Sequence, residues 1–336
     1  MRERVEASAP ARICFGGESL DWMKNGPSIV GAITLRTTTS VETLPTIGDH
    51  YIVYLESRSP IPSKTLRLWK DASWYTDPYL KFVESAVHLV KQDVKTPQSL
   101  AVTIDSEIPA KAGVSSSAAV TLATVAAAGA FFGLRKPVID ICEMAHEVER
   151  DKLKTGAGRM DFYACGIGSL LYLNCGKVPA HFEPYTFPDE LGIVLVDTLT
   201  PHETKTSISP KRQRFHNGDP DMVFYADQAE IMVERIHALM DKFNDNREEI
   251  GDLINRFHCL LRDYVRSSTP LLDTCVATAN KNGALGAKLT GSGMGGCMFA
   301  LVEKEHLEKV ALALQELPVR VYETTIVNKG VLTSTN

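Results

Sequence analysis

The sequence predicts an α+β fold, and three observations carry that expectation. Alternating β-branched stretches and helically spaced apolar stretches follow one another without strict strand–helix alternation, which speaks against a doubly wound sheet. Twenty uncharged residues, Ser115–Leu134, consist mostly of Ala, Ser, Thr and Gly, the composition of a helix buried in a globular core. At 336 residues the chain is long enough for two domains, and a composition shift near 180–190 divides it into 1–185 and 186–336.

The elements follow in order. Val5–Phe15 reads as a strand interrupted at Ala9-Pro10 and turning at Gly16-Gly17. Residues 29–43 and 51–56 alternate and are β-rich, so strands are expected. Leu80, Val83, Ala86, Val87 and Val90 fall at helical spacing. A short strand at Leu100–Ile104 leads into a Pro- and Gly-broken turn, then helices at 116–132 and 137–150. Ala164–Asn174 is apolar, and Leu191–Val196 is a buried strand. Residues 201–220, charged and Pro-containing, are expected to form a loop. Helices follow around Tyr225–Phe243 and Leu253–Tyr264, then strands near 285–290 and 297–302, a helix at 304–315 and a strand near 319–326.

The hydrophobic fraction is 44% and the charged fraction 23%, as in soluble globular chains. Net charge is −5 with no extended basic run, which excludes a nucleic-acid surface. Seven scattered cysteines show no metal-ligand or redox spacing, so reduced, mostly buried thiols and a cytoplasmic location are expected. The charged opening MRERVEASAP is no signal-peptide core, and the Ala-rich run lacks the Leu and Ile of a membrane span.

Three stretches carry the chemistry. The turn in IPAKAGVSSSAAV (108–120) leaves the first N–H groups of a helix unpaired at the positive end of its dipole. An anion is stabilised there, and Ser115, Ser116 and Ser117 add hydroxyls for a phosphate oxygen or a hard cation. No Gly-Lys-Ser/Thr closes it, so it is not a Walker A loop. APARICFGGESLDW (9–22) places Arg12, Glu18 and Asp21 in one tight strand-turn. LTGSGMGGCM (289–298) sets Gly291, Gly293, Gly295 and Gly296 around Ser292 between two apolar strands, the mark of close approach to another surface.

In order and spacing these stretches resemble the three motifs of the GHMP kinases, the family of galactokinase, homoserine, mevalonate and phosphomevalonate kinases. The resemblance implies two α+β domains, the second ferredoxin-like, with the active site in the cleft between them. It implies ATP and Mg2+ as cofactors, a small-molecule acceptor, no membrane partner, and a monomer or homodimer. Lys111, Ala112, Gly113, Val114, Ser115, Ser116, Ser117 and Ala118 would hold the ATP phosphates.

Asp161, in GAGRMDFYACGIG, sits where the family has its catalytic aspartate, and Arg12 where it has a basic partner. A cation there would keep the carboxylate ionised and stabilise phosphoryl charge. Glu149 lies at the interval of a magnesium-ligating glutamate, with Glu147 and Glu143 as neighbours on the same helix and Ser117, with Ser116 beside it, completing the metal site.

Asp21 follows Arg12 by nine residues, as in the sugar-phosphorylating members, where mevalonate kinases are apolar. Glu18, Ser19 and Asp21 are thus expected to bind a monosaccharide, phosphorylated at its anomeric hydroxyl, with mevalonate or homoserine as the alternative acceptor and a non-catalytic sugar/ATP sensor as the alternative of another class. Ser19 and Phe162 stand where galactokinases have His and Gln. His202 and Lys205 are further cleft candidates, and Trp69 and Trp74 lie where the family places part of its adenine pocket.

Overall fold

The computed structural model describes residues 4–71, 77–200 and 204–335. The strands are β1 (Arg4–Gly16), β2 (Pro27–Thr43), β3 (Ile52–Ser57), β4 (Ser63–Leu68), β5 (Leu100–Ser106), β6 (Leu170–Asn174), β7 (His181–Tyr185), β8 (Leu191–Asp197), β9 (Ala284–Leu289), β10 (Cys297–Glu303), β11 (Arg320–Thr324) and β12 (Leu332–Thr335). The helices are α1 (Leu20–Met23), α2 (Lys81–Lys91), α3 (Ser116–Phe131), α4 (Val138–Glu147), α5 (Met160–Ile167), α6 (Thr204–His216), α7 (Pro220–Leu239), α8 (Arg247–Leu260), α9 (Pro270–Lys281) and α10 (Leu307–Gln315).

Two sheets organise the chain. An eight-stranded sheet runs β12-β1-β2-β5-β3-β4, with β6 added on the first half of β2 and β7 on β6. β3 and β5 pair in parallel; the other ladders are antiparallel. The second sheet, β11-β8-β10-β9, is four-stranded and antiparallel. The mixed α+β expectation holds, in two sheet-based layers.

The Ala-rich run forms α3, buried along nearly its whole length against β1 and β2 and flanked by α2, α4 and α5. A helix apolar all round must be enclosed on every side. At 16 residues it is too short to span a bilayer, and no helix among the described residues is long and apolar enough to cross a membrane.

One expectation fails. The 201–220 segment is not a loop: residues 204–216 form α6, with Pro210 inside it. No apolar stripe announces this helix; tertiary anchors hold it. The Arg214 guanidinium bonds Asp219 at 2.7 Å and the carbonyls of Tyr264 and Val265 at 2.9 and 3.0 Å. The last strand was also unforeseen, since β12 returns to the large sheet and pairs Val5 with Thr335.

Candidate active site

Arg12 lies on β1 where the ladder to β2 shifts register between Pro10 and Arg12, a bulge that re-aims the chain. The residue is only 3% exposed and its side chain has three attachments. Nε and Nη2 reach Asp161 Oδ1 at 2.9 and 2.8 Å, and Nη1 donates to the Gly113 carbonyl at 2.6 Å. Asp161 sits in the first turn of α5 with 28% of its side chain exposed. One buried cation thus ties the carboxylate to the Ser-rich turn.

The turn itself is strained in the way its sequence suggests. Lys111, Gly113 and Ser115 have positive φ, and α3 starts at Ser116 with no side-chain cap. Its carbonyls are committed: Val114 accepts from the Arg12 N–H at 3.2 Å, and Ala112 from Cys297 N–H at 2.8 Å. The uncapped helix N-terminus is left open, and the Ser115 hydroxyl is buried without a partner. Gly291 packs onto this turn so closely that a Cβ would lie 2.4 Å from the Gly113 carbonyl oxygen. Cβ atoms on Gly293 and Gly295 would lie 2.2 Å from the Ser267 carbonyl oxygen and 2.7 Å from that of Thr200, and Gly296 donates to the Thr200 carbonyl.

Of the three neighbouring glutamates, Glu149 faces the cleft. It is 3% exposed, its Oε1 has no hydrogen-bond partner, and Oε2 accepts from Thr155 at 3.2 Å. Burial pushes its carboxyl up to about 7, against the pull of the Ser117 and Thr155 hydroxyls. Glu143 is spent on Arg159 and Tyr163, and Glu147 is paired with Lys152. Oxygen-only donors with an orphaned buried carboxylate oxygen fit a hard divalent cation.

At the other end, Ser19 adopts a left-handed conformation and starts the four-residue α1, placing Asp21 over Gly158. A Cβ on Gly158 would fall 1.6 Å from Asp21 Oδ2. Burial and the charge of Asp161 raise the Asp21 carboxyl to about 6, with Arg212 and Arg12 opposing. Glu18 is 2% exposed and paired with the buried Lys288.

These groups line one cleft of about 570 Å³. Arg12, Glu18, Ser19, Asp21, Lys111, Ala112, Gly113, Ser115, Ser116, Ser117, Glu149, Asp161, Gly291 and Ser292 are all on its wall. Val114, Ala118, Gly293, Gly295 and Gly296 are not on that wall. Trp69 is elsewhere, stacked edge-on against Phe132 at 5.6 Å. Phe162 is fully buried beside His146. Trp74 and His202 lie outside the described residues, as does the side chain of Lys205. The sequence reading missed Gly158 and the apolar wall of Pro60, Ile61, Tyr79 and Phe82. The glycine three residues before Asp161 was a readable signal; the wall was not, since its members are scattered.

The profile described as the GHMP kinases N terminal domain matches residues 81–169, and that of the GHMP kinases C terminal matches residues 236–319. A mevalonate kinase of Thermococcus sibiricus is 33% identical over 324 residues, covering 93% of each chain. A galactokinase of Clostridium perfringens is 26% identical over 340 residues, covering 90% of this chain and 86% of its own. Among solved structures, Lactococcus lactis galactokinase complexed with galactose superposes with a TM-score of 0.81 at 21% identity, over 98% of this chain and 95% of that one. Methanococcus jannaschii mevalonate kinase gives 0.80 at 21%, over 98% and 99%.

Proposed function

The chain belongs to the GHMP kinases, ATP-dependent phosphotransferases with an alcohol acceptor, and from that premise we propose a catalytic arrangement and an acceptor. The observation that carries the arrangement is the Arg12 side chain, which joins Asp161 to the phosphate turn. Asp161 accepts or orients the acceptor hydroxyl's proton, and Arg12 holds its carboxylate in place and offsets charge on the transferred phosphoryl group. The open N-terminus of α3 and the Ser-rich turn hold the nucleotide phosphates. Glu149 and Ser117 would hold Mg2+, which when bound neutralises phosphate charge. Phosphoryl transfer depends on positioning and electrostatics, and this inventory supplies both.

For the acceptor, relatives and site pull apart. The mevalonate kinase relatives, at 33% identity against 26% for galactokinase, support mevalonate better than the sugar expected from the motif spacing. Mevalonate is therefore the first reading. The specific observation for a monosaccharide is Asp21, a carboxylate on the cleft wall beside Asp161. Such a group suits paired hydroxyls and opposes an acceptor that is itself a carboxylate.

ATP consumption with mevalonate, homoserine and a panel of monosaccharides tests both. Turnover on mevalonate, with Asp21→Asn leaving its KM unchanged or lowering it, supports the first reading. Turnover confined to one sugar, with Asp21→Asn raising its KM, supports the second. Nucleotide binding with no turnover on any of them contradicts the enzyme.

A further inference from the structure

The cleft wall carries a cation for which the catalytic arrangement has no use. Arg12, Lys81 and Lys111 are the described basic residues on that wall. The Arg12 guanidinium is spent on Asp161 and the Gly113 carbonyl, and Lys111 belongs to the Ser-rich turn itself. Lys81 comes from a different element. It is the first residue of α2, half-buried, with its ammonium 5.1 Å from the centre of the Phe82 ring.

The acidic side chains one turn away on either side are committed elsewhere. Asp77 accepts from the Tyr79 and Leu80 N–H groups at 2.7 and 3.0 Å and from the Ser63 hydroxyl at 2.8 Å. Glu84 is paired with Arg67 at 3.1 Å. Among the described residues no carboxylate pairs with Lys81. Helix stability does not account for a lysine here either, since the first turn is the positive end of the dipole, where a cation is disfavoured.

Packing brings this charge to the nucleotide end of the cleft. α2 lies against α3, which starts at the Ser-rich turn, and against residues 148–152, which carry Glu149. Burial raises the Glu149 carboxyl to about 7, and the Lys81 charge is among the groups that oppose the rise. The ammonium thus acts on the part of the cleft where Glu149 stands, and Ser115, Ser116 and Ser117 line the same cleft. A point charge with three donors beside an open helix N-terminus favours an anion rich in oxygens.

We propose that Lys81 binds the polyphosphate of the nucleotide, donating from α2 to phosphate oxygens that the Ser-rich turn cradles. The assignment rests on the reading of that turn as the nucleotide-phosphate site, and it adds a contact from a second element. The Phe82 ring keeps the ammonium on the wall before the ligand arrives. A nucleoside di- or triphosphate uses this contact, whereas an uncharged nucleoside does not.

Calorimetric titration of the full chain and its Lys81→Met and Lys81→Arg variants with ATP, ADP and adenosine, each with Mg2+, tests the proposal. Lys81→Met weakens ATP and ADP binding about ten-fold or more, the loss of one charge-assisted contact. Adenosine affinity stays within about two-fold, and Lys81→Arg restores ATP affinity to within about three-fold of wild type. Lys95→Met, at an exposed lysine beyond α2, controls for net charge and leaves ATP affinity within about two-fold. A loss of ATP affinity below about three-fold in Lys81→Met makes Lys81 an ordinary solvent-facing lysine and overturns the proposal. Equal weakening of ATP and adenosine gives Lys81 a structural role and overturns it too, as does an equal loss of ATP affinity in Lys95→Met. If Lys81→Met does not fold, Lys81→Gln is read by the same criteria. A wild-type chain that binds neither ATP nor ADP would instead overturn the functional reading beneath the proposal.

Discussion

Asp161 and Asp21 line the same cleft and differ in their counter-charges. Asp161 has the Arg12 guanidinium against one oxygen. Asp21 has burial and the charge of Asp161 against it, which raise its carboxyl from 3.8 to about 6. Between those values the folded chain binds the proton more tightly than the unfolded chain does. Folding stability therefore falls as pH rises through this window, and the cost is fully present above about pH 6. Asp21→Asn should raise unfolding free energy at pH 7.5 by roughly 1–3 kcal/mol, the gain shrinking as pH is lowered towards 4. Urea unfolding at several pH values measures it, and a pH-independent gain would contradict the electrostatic origin.

Arg12 and Asp161 were legible because motif spacing and charge logic agree on them. Glu18 was half legible: the sequence marks it as a polar residue in the turn, but its partner Lys288 lies 270 residues away. No local pattern announces such a pairing.

Among the elements, the Ser-rich turn and the glycine segment pack as one unit. Gly291 has φ +79, and a side chain there would strike the Gly113 carbonyl. Gly291→Ala should separate the two segments, raising the ATP KM about ten-fold and lowering the melting temperature by several degrees, roughly 1–3 kcal/mol of strain. Steady-state kinetics and thermal unfolding read both, and a wild-type ATP KM would show that the contact does not shape the nucleotide site. Both segments were readable because glycine and serine clusters have few structural uses. Two helix starts carry a readable local signal. Asp219-Pro220 begins α7 and Thr269-Pro270 begins α9, each with a side-chain cap before a proline. α6 was not readable, because Arg214 anchors it to Tyr264 and Val265 rather than an apolar face doing so.

The whole molecule is sewn together across its expected boundary at 185. Residues from the end of the chain return to the large sheet: Ile326 bridges Ile33, Ser169 donates to the Val327 carbonyl at 2.8 Å, and β12 pairs with β1. Gly330 crosses Gly168 at the end of α5, the helix that carries Asp161. Truncation after Thr325 should lower the melting temperature by about 5 °C or more and reduce kcat, because α5 loses its support. A truncated chain with unchanged stability and kcat would show that this return strand is dispensable. Two-sheet architecture follows from local patterns, but which sheet the last strand joins depends on partners over 300 residues away.

The central claim is that the cleft transfers phosphate from ATP to an alcohol with Asp161 at the reacting hydroxyl. Acceptor-dependent ATP turnover by Asp161→Asn, measured beside nucleotide affinity, tests it most directly. The account predicts that kcat falls about 10²–10⁴-fold while nucleotide affinity stays within about three-fold. Undiminished turnover would contradict it and place the proton acceptor elsewhere in the cleft.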